Sequence, residues 1–231
     1  MKALPPYIPQ HLDPKAQIIP SPRHKMALAQ LNAPDKQENF IDKLTQLNNR
    51  TAFNIILEKV WRHCSWERYP ISLLRIDIDD FQVFKNTHGS LAGNLLVQHI
   101  ATVLTDCLNR SENFIARLGE NQFAVLLPHT RQAGGQKIGE QILSLVRQLP
   151  YLPTQERQHA SVSIGLLTVS SGRSASGKPA QHLLEVAEHA LYWAKEQGQD
   201  QLVTAKAIGR WKRRRKRHWV NNLAHLLYQV E

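Results

Sequence analysis

The chain has 231 residues, 42% of them apolar and 21% charged, with a formal net charge of +10. That is length for one ordinary domain with tails, and apolar content for a real core. No apolar run approaches the roughly 18 residues that suggest a membrane span. The N-terminus lacks the compact apolar stretch of a secretory signal, so a cytoplasmic protein is the expectation. Cys64 and Cys107 both fall on apolar positions of helical patterns, which points to buried reduced thiols and away from a disulfide or metal site. The positive charge is uneven: residues 206–231 hold eight Lys/Arg against one acidic residue, Glu231, and so carry +7 of the +10.

In chain order, residues 1–38 form a leader that includes Pro5, Pro6, Pro9, Pro14, Pro20, Pro22 and Pro34. With no sustained period, it reads as disordered or extended. A folded unit spans 39–205. Phe53, Ile56, Leu57, Val60, Trp61 and Cys64 recur at helical spacing and predict a helix over 51–66, which Tyr69-Pro70 ends. Residues 71–78 read as a buried strand closing on Asp77-Ile78-Asp79-Asp80. A long helix follows, with Leu95, Leu96, Ile100, Val103, Leu104 and Leu108 on one face. Strands over 113–118 and 121–127 form a hairpin. A helix over 133–149, a strand over 160–168, a helix over 181–196 and a short strand over 201–204 complete the unit. Strands alternate with helices, yet one adjacent pair is a hairpin. The fold class is therefore α/β, with a central mixed, mainly antiparallel sheet flanked by helices.

The hairpin tip reads Gly119-Glu120-Asn121-Gln122-Phe123. Gly119-Glu120 suits a two-residue type II′ turn, with Gly at the first central position. Just past the turn stand two amides.

Several blocks, in order, resemble the GGDEF domains of the diguanylate cyclase family. Asp42-Lys43-Leu44-Thr45-Gln46-Leu47-Asn48-Asn49-Arg50 and Phe53 are similar to that family's opening D-x-L-T-x-L-x-N-R-x-x-F. Asp77-Ile78-Asp79-Asp80-Phe81 resembles its D-x-D-x-F, and Gly89 and Gly93 its G-x-x-x-G. Ser161-Val162-Ser163-Ile164-Gly165 resembles a later strand. Ala190-Leu191-Tyr192-Trp193-Ala194-Lys195-Glu196-Gln197-Gly198 resembles the A-L-Y-x-A-K-x-x-G helix end. The resemblance covers 41–204. It implies a palm-like nucleotidyl-cyclase fold and a reaction joining two GTP molecules into cyclic di-GMP across a dimer. Such phosphoryl transfer relies on positioning and on divalent metals held by hard oxygens.

The resemblance also assigns roles, and this chain departs from several. The metal ligands would be Asp77, the carbonyl of Ile78 and the third loop residue, here Asn121. The fourth loop residue, Gln122, lacks the carboxylate that assists metal binding and hydroxyl activation. Glu120 stands where a second Gly lets nucleotide approach closely. The guanine-reading positions hold Lys85 and Asn94, of which Lys85 has no acceptor. Of two phosphate-binding basic residues, Lys195 is kept and the second is Gln199; Gln82 replaces a Lys. An inhibitory R-x-x-D site is half kept as Arg110 and Asn113, where Arg110 still suits a base or phosphate. The loop Gly119 to Phe123 thus predicts a degenerate domain that is not an enzyme, with Asp77, Ile78 and Lys195 as vestiges and no metal or cofactor. Bland roles compete: Asp77 and Asp79 as strand-end and N-cap residues, Lys195 favouring a helix C-terminus, Arg117 on an exposed hairpin face, and Asp42 and Asn49 fixing local turns.

Beyond the domain, 206–231 reads as one helix, basic first and apolar later. Arg210, Trp211, Lys212, Arg213, Arg214, Arg215, Lys216 and Arg217 suit an anionic partner. Nucleic acid, with Trp stacking, is one reading. An anionic membrane surface is another, ranked lower. Docking on a protein partner or dimer mate, or packing on the domain itself, is the third, and together these rank slightly ahead of nucleic acid. The sequence thus predicts a binding, scaffold or regulatory module working through protein partners, with at best weak affinity for cyclic di-GMP or GTP. The alternatives are a nucleic-acid-associated protein using its tail, or residual nucleotide-processing or diguanylate cyclase activity.

Overall fold

The computed structural model describes residues 40–108, 112–149, 160–169 and 180–205. The leader, Arg110 and the basic tail from Arg210 to Arg217 lie outside the described residues, so the expectations placed on them carry no structural statement.

Among the described residues, four helices and five strands follow one another: α1 (Arg50–Glu67), β1 (Ile71–Ile78), α2 (Phe81–Cys107), β2 (Phe114–Arg117), β3 (Gln122–Pro128), α3 (Gln132–Arg147), β4 (Val162–Val169), α4 (Ala180–Glu196) and β5 (Leu202–Thr204). The strands form one sheet in the order β2-β3-β1-β4-β5. β1 is antiparallel to both β3 and β4, and only β4–β5 is parallel. This is the mixed, mainly antiparallel sheet that the sequence predicts.

The period of two along β1 decides which side chain meets which helix. Leu74, Ile76 and Ile78 enter one cluster with Phe84, Val97, Ile100 and Leu104 of α2 and Ile142 and Val146 of α3. Ile71 and Leu73 enter the other, with Phe53, Leu57 and Trp61 of α1 and Leu183, Leu184 and Ala187 of α4. Arg75 and Asp77 share the parity of Ile71 and Leu73, so they face the α4 side. β1 has a strand on each edge and helices on each face, which makes it the core strand and lets it read as a mainly apolar run.

Local signals act where the sequence places them. Asn49 caps α1, its side-chain oxygen accepting from the Ala52 amide at 3.0 Å. Asp42 closes its turn by accepting from the Thr45 amide and hydroxyl at 2.9 and 2.8 Å. Both cysteines are buried and unbridged. Burial, with help from Asp106, pushes the Cys107 thiol up to about 11, which keeps it protonated.

Four local expectations need correction. The long helix is two helical segments merged across Gly89, whose φ of 87° and ψ of 163° break the helical path. Leu95, expected on the buried face, is exposed. The hairpin tip is not a type II′ turn, because Gly119 is not among the positive-φ residues. The ladder runs to Arg117↔Phe123, and the Leu118 amide bonds the Gln122 carbonyl at 2.8 Å. That leaves Gly119, Glu120 and Asn121 as a three-residue tip. Finally, neither Asp77 nor Asp79 caps α2: the N-cap is Asp80, in the left-handed region at φ 50° and without a side-chain capping bond.

Candidate functional site

The site forms where β1 ends, the β2–β3 tip turns and α4 finishes. Asp77 is the last β1 residue on the α4-facing side, and it lies directly opposite Gln122 of β3 and Ser163 of β4. Its side chain is only 6% exposed. A buried carboxylate needs compensation, and three side chains supply it. Lys195 Nζ donates to Asp77 Oδ1 at 2.6 Å, Asn121 Nδ2 to the same oxygen at 2.7 Å, and Gln122 Nε2 to Oδ2 at 3.1 Å. Asn121 Nδ2 also reaches the Ile78 carbonyl at 3.3 Å. Burial pushes the Asp77 carboxyl above its ordinary value, and the Lys195 ammonium and the Gln122 amide pull it back only in part. Thus Lys195 does more than favour a helix end: it crosses from α4 to β1.

Behind Asp77 lies a buried cation. Arg75, with a 4% exposed side chain, donates from Nε to Glu188 Oε2 of α4 at 2.5 Å. It also reaches the Phe123 carbonyl at 3.2 Å and Gln122 Oε1 at 3.3 Å. Gln122 is therefore held at both ends, by Arg75 through its oxygen and by Asp77 through its nitrogen. Asp79 forms a separate knot. It accepts from Ser161 Oγ at 2.8 Å, Ser163 Oγ at 2.7 Å and the Asp200 amide at 3.0 Å, tying β1 to β4 and to the turn before β5.

The tip is braced from outside. Arg117 pairs with Asp42 at 3.1 Å and donates to the Glu120 carbonyl at 2.8 Å. Its side chain is 13% exposed, so the exposed-face expectation is corrected: it is a strut under the loop. Arg50 Nε holds the Leu118 carbonyl at 2.9 Å. Lys85 of α2 forms an ion pair with Glu120. Two side chains far apart in sequence therefore meet in space. Gln199 reaches Asp80 at 3.2 Å, Gln82 pairs with Asn86 on α2 at 3.0 Å, and Asn94 is exposed. Asn113 is partly buried, and its Oδ1 is buried without a hydrogen-bond partner.

The divalent metal that the resemblance implies does not fit this donor set. Asp77 and the Ile78 carbonyl are suitable hard oxygens. However, the third group turns N–H toward both of them, and an ammonium already sits on Oδ1. Among the described residues, no three His, Cys, Asp or Glu side chains converge to hold a metal ion.

Comparison with known proteins places the geometry. The family model "Diguanylate cyclase, GGDEF domain" matches residues 39–201. The chain belongs to the GGDEF-domain family of diguanylate cyclases. Over 170 residues it is 32% identical to the diguanylate cyclase DgcP of Pseudomonas aeruginosa, covering 74% of this chain and 24% of that protein. It superposes on the GGDEF domain of DgcB from Caulobacter crescentus in complex with c-di-GMP with a TM-score of 0.65 and 26% identity, covering 72% and 93% of the two chains. The diguanylate cyclase SiaD of P. aeruginosa, solved with its activator SiaC, matches at a TM-score of 0.66 and 25% identity, over 80% and 68%. The chain spans between about a quarter and about half of the length of several curated relatives.

These matches correct one expectation drawn from the loop. The sequence reading makes the chain a non-enzyme because two carboxylates are absent. Membership of a cyclase family, with relatives named as diguanylate cyclases, points instead to an enzyme. Loop composition alone does not carry the conclusion.

Sequence reasoning missed Arg75, Glu188 and the Asp42–Arg117 strut. One signal was legible: Arg75 interrupts an otherwise apolar central strand, and a buried guanidinium requires an acidic or carbonyl partner.

Proposed function

We propose that this chain is a guanine-nucleotide- or cyclic di-GMP-binding module of the cyclic di-GMP system, which passes its state to a protein partner. The observation that carries this reading is the convergence of β1, the hairpin tip and α4 on the Asp77–Lys195 pair. Three separate elements meet at one partly open ion pair, so a ligand that engages Lys195 bears on all of them. The Lys195 side chain is 35% exposed, so a phosphate has access to it. The complexes of DgcB with c-di-GMP and of SiaD with SiaC support both halves of the reading.

Isothermal calorimetry with GTP and with cyclic di-GMP, on the full chain and on Lys195→Ala, tests it. Saturable binding by the full chain that Lys195→Ala weakens at least tenfold is expected. Absence of binding for both ligands overturns the reading. The second reading, a diguanylate cyclase, is favoured by the names of the relatives. Chromatography of the same GTP samples decides it: accumulation of cyclic di-GMP over many turnovers establishes catalysis, with Asp77 and Lys195 as the residues to substitute.

A further inference from the structure

Asp77 Oδ1 and the Ile78 carbonyl converge on one point, and what occupies it is a side-chain NH2 group. Asn121 Nδ2 spans both oxygens, at 2.7 and 3.3 Å. The orientation of this amide follows from its partners, since both are pure acceptors and a flipped Asn121 would set oxygen against oxygen. Gln122 is fixed by the same logic. Its Oε1 accepts from Arg75, a group with donors only, and its Nε2 donates to Asp77 Oδ2. Arg75 is itself buried and anchored by Glu188. Of the N–H groups around Asp77, that of Gln122 is thus set by a buried residue of the core.

Lys195 completes the arrangement. Its ammonium lies 2.6 Å from the oxygen that Asn121 also contacts. A divalent cation at that oxygen would displace an N–H donor and face a like charge. An ammonium has three donors, and Asp77 takes one of them.

We infer that the Asn121 amide and the Lys195 ammonium together replace the divalent cation, so that this cleft holds the phosphate groups of its ligand without a metal. The inference deepens the nucleotide-binding reading and rests on it only for the phosphate half. Asp77 then acts as a positioning residue: it holds Lys195 at the mouth of the site and touches no ligand itself.

Two measurements on the full chain decide the two halves separately. In the first, Mn²⁺ is titrated and free ion is followed by electron paramagnetic resonance. The native chain is expected to leave the signal undiminished, whereas Asn121→Asp combined with Gln122→Glu removes one equivalent. Asn121→Asp alone, which leaves the Gln122–Arg75 contact in place, serves if the double variant does not fold. One-equivalent binding by the native chain, lost in Asp77→Asn, overturns the inference. So does failure of every folded carboxylate variant to bind Mn²⁺, because the amides would then not be what excludes the ion. In the second, GTP binding is compared in Mg²⁺ and in EDTA. Equal affinity is expected, and loss of binding on chelation overturns the phosphate half. If GTP binds in neither condition, cyclic di-GMP is compared in the same two buffers; if neither ligand binds, the proposed function fails while the Mn²⁺ result still stands.

Discussion

The Asp42 carboxylate collects the Thr45 amide, the Thr45 hydroxyl and the Arg117 guanidinium. Burial pushes its proton affinity up, but those three partners outweigh it and hold the carboxyl below its ordinary value of 3.8. The sign of the linkage follows. A lowered folded value gives stability that is present above the unfolded value and lost as pH falls through the folded one. Asp42→Asn is therefore expected to cost about 1.5–3 kcal/mol at neutral pH, the scale of hydrogen bonds to a charged group, and progressively less below about pH 4. Urea denaturation of both forms at pH 7 and pH 3 checks this, and a cost independent of pH contradicts it. The Lys85–Glu120 pair gives a second residue-scale prediction. It joins two positions that the family resemblance assigns to nucleotide contact, and Glu120 is more than half exposed at 54%, so the pair itself adds little stability. Lys85→Asn with Glu120→Gly is expected to leave the melting temperature within a few degrees and to tighten GTP binding severalfold. Equal or weaker binding in calorimetry places the pair outside nucleotide contact.

At the scale of elements, α4 decides the site because it carries both Glu188 and Lys195, and at Gly165 it meets β4 with no side chain between. A Cβ added at Gly165 would lie 2.2 Å from the Ala187 carbonyl oxygen and 2.2 Å from the Leu191 amide nitrogen. These are backbone atoms, so the helix as a whole must move. Gly165→Ala is expected to cost about 3 kcal/mol, the upper range of overpacking, and to weaken nucleotide binding by shifting Lys195. A native-like melting curve would contradict the close packing. Gly165 shows how far local reading reaches. Its place in a strand is legible from Ser161-Val162-Ser163-Ile164, and so are the apolar faces of α1 and α4, because period and burial share a cause. The meeting of Lys195 with Asp77 depends on the register of β1 against β3 and β4 and on how α4 lies across them, which no local pattern encodes. Gly119 failed for a similar reason. The dipeptide alone suits a two-residue turn, but Arg50, Arg117 and Lys85 brace a three-residue tip from three different elements.

At the scale of the whole molecule, the family match and the charge separate along the chain. The family match ends at residue 201, the last strand among the described residues at Thr204, and residues 206–231 carry +7 of the net +10. We propose that residues 39–205 are the independently folding unit and that the tail contributes binding to an anionic partner, with nucleic acid as the partner tested. Each neutralised phosphate releases counterions, so binding through six consecutive Lys/Arg predicts a steep loss of affinity with salt, with a log–log slope of up to about −5 for duplex DNA. A chain ending at residue 205 is expected to unfold with the same midpoint as the full chain, since both sheet faces are already covered by helices within it. It is also expected to lose binding to a duplex in fluorescence anisotropy, while keeping its affinity for GTP. The contrast separates the readings of the tail. A truncated chain that melts earlier makes the tail a packing element, and one that still binds DNA moves the anionic surface onto the domain. Loss of DNA binding with stability and nucleotide affinity intact assigns the tail a partner of its own, coupled to the Asp77–Lys195 cleft only through the chain that joins them.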